Sequence, residues 1–155
     1  MKNLLKMTAI AALTFTSISA FAASQQAEEV KKFQAWEETA SKKLEASFDA
    51  VGAASATSNA TETEAAVAAF DKQAAENVAE LEALGIKSEE VSPLVSMYKE
   101  YVDAEKEVVQ LILSQVKSPS LDNAGKVPEA VAKANQKDDA IDKLAEQLEE
   151  KFPAE

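Results

Sequence analysis

The sequence predicts an all-α fold: a four-helix bundle running up-down-up-down behind a cleavable export signal. Three observations predict it. The chain is rich in Ala, Glu, Lys, Gln and Leu, residues that lose little on entering a helix. Its apolar residues recur every three or four positions. Its three glycines and four prolines fall at the ends of those periodic stretches, and alternating strand patterns are absent. The expected division is residues 1–22 as signal peptide and 23–155 as a single helical domain.

The signal reads in three parts: a basic start with Lys2 and Lys6, an apolar stretch from Met7 to Ile18, and the small-residue end Ala20-Phe21-Ala22, which predicts cleavage after Ala22. The apolar stretch falls short of the roughly 20 residues that span a bilayer, and Thr14, Thr16, Ser17 and Ser19 dilute it. With no cysteine in the chain, attachment of lipid through an N-terminal cysteine is not expected. The mature protein is therefore expected to be soluble, without a stable membrane anchor, and periplasmic or secreted.

The first helix is predicted from about Gln25 to Ala54, with a stripe of Val30, Phe33, Trp36, Ala40, Leu44, Phe48 and Val51. A break near Ala46 would leave a three-helix alternative. Residues 52–60 (GAASATSNA) read as a connection whose alanines could lengthen either neighbour. Thr61 and Glu64 have the spacing of a capping box opening the second helix, which Gly85 ends, with Ile86 packing back. Ser92 as cap and Pro93 as first residue open the third, which runs to about Lys117. Its apolar residues cover roughly 200° of the circumference, more than a one-sided surface helix needs. It is thus either the most enclosed helix, the favoured reading, or one that offers a second face to a partner or a second copy. Residues 118–127 (SPSLDNAGKV) read as a loop, and Pro128 as the start of a fourth helix that ends at Phe152-Pro153. A two-stranded coiled coil fits less well, because the apolar content is concentrated in helix three.

Composition removes whole classes of chemistry. Without histidine or cysteine there is no thiolate or imidazole nucleophile, no His-dependent triad, and no ordinary haem, zinc or copper ligand. No cofactor is expected. The formal net charge is −11, and losing Lys2 and Lys6 with the signal takes it to −13. Such a field repels phosphate backbones, so nucleic acid is not an expected partner; a basic protein or peptide, or cations, would be attracted.

Three carboxylates depart from the solvent faces. Glu37 falls within the helix-one stripe, Glu105 near the centre of the helix-three arc, and Asp138 beside Ala134 and Ala145. In the predicted topology they lie at nearly one height, within about 3 Å at 1.5 Å per residue. They form a candidate cation or polar-core layer of the kind that binds hard cations through oxygen. A ferritin-like di-metal site also requires Glu-x-x-His motifs, which this chain lacks. The plainer reading places each acid at the stripe's edge, reaching water or neutralised by Lys42, Lys106 or Tyr98. The acidic run of Asp138, Asp139, Asp142 and Glu146 reads as a solvated face, and Trp36, Tyr98 and Tyr101 as core aromatics or the lining of a pocket.

The preferred functional expectation is a non-enzymatic envelope protein that binds a basic protein or peptide, in an inhibitor, immunity or holdase-like role. The alternative is a bundle binding a small molecule or hard cation through the carboxylate layer. A hydrolase or lyase using two carboxylates as acid and base is disfavoured, because nothing in the sequence marks a substrate cleft.

Overall fold

The computed structural model describes residues 2–153, with side chains from Ser24 onward. Four helices follow one another: α1 Lys2–Ala56, α2 Ala60–Ala83, α3 Ser92–Lys117 and α4 Leu121–Lys151. The described residues contain no strand. Each helix packs on the next and α4 returns to α1, while of the two diagonals α1–α3 touches little and α2–α4 not at all, as in an up-down-up-down square. The signal sequence lies, apart from its helical backbone, outside the described residues, and its cleavage is untouched by the structure.

The apolar stripes meet as their spacing predicts. Phe33, Leu44, Val51, Phe70, Leu81, Leu94, Tyr98, Val108, Val109 and Ile141 are all sealed from solvent. No break occurs near Ala46, so the three-helix alternative is set aside: Leu44 and Val51 are both buried on one continuous helix, with Phe48 partly buried between them. In α3 every apolar side chain is buried or half-buried, which supports the enclosed reading over a free second face.

Two connections are shorter than the sequence suggested, for local reasons. Helix α1 continues through Gly52 and the alanines to Ala56, because Val51 anchors its last full turn in the core. Ser58 then takes a left-handed conformation (φ 55°) and Asn59 an extended one. The cap of α2 is Asn59 rather than Thr61: its Oδ1 accepts from the Thr61 and Glu62 amides at 3.1 and 3.3 Å. Thr63 Oγ1 donates to the Asn59 carbonyl at 2.9 Å, so this buried hydroxyl is satisfied.

The larger difference is at α4. Residues 121–127, predicted as loop, are helical, and Pro128 lies inside the helix instead of starting it. Ser120 is the cap, accepting from the Asn123 amide at 3.1 Å, and Asp122 adds an acid to the first turn. Pro128 is only the eighth residue of α4, where the bond it cannot make is one near the helix start. At the opposite end of the bundle, Gly85 adopts φ 67° and ends α2 as predicted. Ser92 does not cap α3 through its side chain. Val91, fully buried, occupies the cap position, and Ser92 Oγ donates to the Glu89 carbonyl instead.

Candidate functional site

Of the three singled-out carboxylates, Glu37 and Asp138 share a groove at the edge of the bundle, not inside it, and Glu105 stands outside its lining, within reach of the Asp138 charge. Glu37 and Glu105 are half-buried and Asp138 is exposed. The core positions beside them belong to Trp36, Val108 and Ile141, all buried. A straight helix drifts about 20° per heptad relative to a fixed seam, enough to move Asp138 from the stripe to its margin. The result is a groove of about 550 Å³ between α1 and α4 with α3 beneath. It is lined by Gln34, Glu37, Glu38, Ser41 and Glu45 of α1, Tyr101 of α3, and Asp138 and Asp142 of α4.

Five of those eight side chains are carboxylates and none is basic. Burial, and then the charges of Asp142 and Asp138, push the Glu37 carboxyl up to about 7. Burial and Asp138 raise Glu105 to about 6, although a hydrogen bond from Tyr101 partly offsets them. Asp138 is raised by burial and by Asp142 and Asp139. Asp138 is thus the link of the row, acting on both Glu37 and Glu105. The partners anticipated from sequence differ: Lys42 pairs with Glu38 at 2.9 Å, and Glu105 meets Tyr101, not Tyr98. Among the described residues, no three acids are grouped so as to hold a metal ion.

The aromatics divide. Trp36 and Tyr98 are core, their rings edge-on with centroids 4.7 Å apart, and Phe33 lies 5.7 Å from Trp36. The buried Trp36 Nε1 has no partner among the described residues. Tyr101, 5.8 Å from Tyr98, is the member of the three that lines the groove.

Two polar residues that the sequence reading missed fix the scaffold. Asn77 is fully buried; its Nδ2 donates to the Ala40 carbonyl at 2.9 Å and the Tyr98 hydroxyl at 3.1 Å, while Gln73 donates to its Oδ1. One side chain thereby ties α1, α2 and α3 together. Its signal was a polar residue three positions after Ala74 and four before Leu81, on the stripe itself. Glu29, also buried, accepts from the Lys87 and Ser88 amides at 3.1 and 3.0 Å, from Gln25, and from the Ser88 hydroxyl. Burial alone would raise its carboxyl, but these hydrogen bonds outweigh it and hold Glu29 below the usual range. No sequence pattern links positions 58 residues apart.

Comparison with known proteins gives one finding of similarity. The family described as uncharacterised lipoprotein PM1805 matches residues 27–153, which is nearly the whole predicted mature domain. No curated protein and no solved structure matches.

Proposed function

This chain belongs to the family described as uncharacterised lipoprotein PM1805, and from that premise we propose that it is an exported, non-enzymatic protein of the cell envelope that engages a basic protein or peptide. The observation that carries the reading is the groove between α1 and α4, with five carboxylates and no basic side chain along its walls. A cationic segment laid there would relieve the repulsion that, beyond burial, raises Glu37 and Asp138. Tyr101 adds an aromatic surface suited to a lysine or arginine side chain. An inhibitor, immunity or holdase-like role fits such a surface.

Although the family is described as lipoprotein, these 155 residues contain no cysteine. Release after Ala22 into the periplasm or medium therefore suits this member. Mass spectrometry of the protein from its host is expected to find a mature N-terminus at Ala23; intact Met1 in a membrane fraction would refute release.

Binding is tested by titrating a lysine-rich peptide at low and high salt. Affinity is expected to fall with salt, because screening shortens the Debye length from about 10 Å at 0.1 M to 3 Å at 1 M. The triple variant Glu37→Gln, Asp138→Asn, Asp142→Asn is expected to bind at least about tenfold more weakly, a loss of 1.4 kcal/mol or more. Equal binding by wild type and variant would end the proposal. Calcium, magnesium and manganese belong in the same series: a melting temperature that rises with any of them transfers the groove to the hard-cation class.

A further inference from the structure

The four seams between neighbouring helices are not alike. Lys43 of α1 bonds Glu80 of α2 at 3.1 Å, and Lys99 and Lys117 of α3 bond Glu82 and Glu64 of α2 at 2.5 and 3.2 Å. Lys133 and Lys137 of α4 bond Glu107 and Glu100 of α3 at 2.8 and 2.6 Å. The α1–α4 seam has no ion pair among the described residues and is the thinnest of the four. Its one recorded cross-bond is an exposed donation from Gln34 to Glu149 at 3.1 Å.

We propose that the α1–α4 seam is a proton-operated latch, closed while Glu37 is protonated and loosened when it ionises opposite Asp138 and Asp142.

The groups around the pair are all acids or phenols. Asp142 and Asp138 of α4 act on Glu37; Asp142 and Asp139 act on Asp138 from its own helix. From α3, Tyr98 feels both Glu37 and Asp138, and Tyr101 and Glu105 feel Asp138. From α1, Glu38 and Glu45 share the groove wall; from α2, Glu80 acts on Tyr98. Lys42 and Lys43 are engaged by Glu38 and Glu80, and among the described residues no lysine pairs with Glu37 or Asp138 to hold the seam shut once it is charged. A chain without histidine has no side chain that ordinarily titrates between pH 5 and 8. This seam supplies one: Glu37, pushed up to about 7 by burial and by Asp142 and Asp138. Protonated, Glu37 no longer repels Asp138 and Asp142 and can donate a hydrogen bond; ionised, it pushes α4 from α1 where packing is least. Such a latch operates in the chain alone, whatever fills the groove.

Trp36, the only tryptophan, is buried on α1 beside Glu37 and reports the state of the seam. Its acrylamide quenching is expected to rise about two-fold from pH 5 to pH 8, with a red shift in emission, as the open state gains population. The double variant Glu37→Gln, Asp138→Asn is expected to stay blue-shifted and weakly quenched throughout. Asp142→Asn, on an exposed side chain, costs no packing and is expected to shift the wild-type midpoint to lower pH by removing one of the charges on Glu37. Flat wild-type quenching overturns the latch. So does a double variant that keeps the wild-type response, or an Asp142→Asn midpoint that does not move.

Discussion

Helix α4 meets its two neighbours with opposite charges. Toward α3 it presents Lys133 and Lys137, each bonded to a glutamate. Toward α1 it presents Asp138 and Asp142, which stand with Glu37 around the groove. Lys137 and Asp138 are adjacent in sequence, and one residue is 100° of helix, so consecutive charges serve different seams. The difference shows that a charged helix surface has no single meaning. Exposed Lys–Glu pairs are worth little individually, yet a seam that has them tolerates neutral pH, whereas carboxylates on both sides make the other seam depend on it. Glu29 is a third case: a carboxylate more deeply buried than Glu37, but matched by backbone amides.

The largest expected effect comes from removing what both flanks of α4 share. Ile141 is fully buried, and Ile141→Ala is expected to lower stability by about 2–5 kcal/mol. Denaturant unfolding should show this loss at pH 5 and pH 8 alike; a loss confined to one pH would tie Ile141 to one seam only.

Glu29→Ala comes next, at about 1.5–3 kcal/mol, since it strands the Lys87 and Ser88 amides. The sign of the pH dependence follows from the lowered carboxyl. Its stabilisation is full above the unfolded value of about 4.5 and disappears as pH falls through the lower folded value. Wild type and variant should therefore converge in strong acid; a constant gap in melting temperature down to pH 2 would contradict this.

Glu37→Gln has the reverse sign. A folded value of about 7 against 4.5 means that Glu37 is neutral and harmless at low pH and opposes folding as pH rises through about 7. Discounted for the side chain's partial access to water, the variant is expected to be more stable by about 1–2 kcal/mol at pH 8 and nearly unchanged at pH 4. Thermal melts at the two pH values check it. A gain over wild type that is larger at pH 4 than at pH 8 would reverse the comparison.

The smallest effect is expected on the lysine-bridged flank. Lys137→Gln removes an exposed pair to Glu100 and should cost about 0.2–1 kcal/mol, less in high salt. A cost above 2 kcal/mol, or one indifferent to salt, would make the two flanks more alike than the structure has them.

Much of the bundle was legible along the chain, because helix stripes and Gly85 act through neighbours within a turn or two. The candidate residues were legible in part: Glu37 and Asp138 share a groove, and Asp138 acts on Glu105, since helical height is simple arithmetic. Their burial was not legible, because small angular errors on long helices accumulate. Asp142 is exposed, as a solvated face predicts, but that it stands on the groove wall opposite Glu37 is decided only when α4 packs on α1.

By itself the sequence determined the all-helical class, the number of helices, the enclosed character of α3 and the absence of histidine and cysteine chemistry. Each follows from composition or from periodicity within single segments. Tertiary structure alone decided that α4 begins at Leu121, that Asn77 ties three helices, that Glu29 reaches Lys87 and Ser88, and which acids share a seam. Those outcomes depend on groups distant in the chain. A breaker such as Pro128 is overruled by a good cap eight residues earlier, and a carboxylate's protonation is set by whether amides, lysines or other carboxylates arrive beside it when the helices pack.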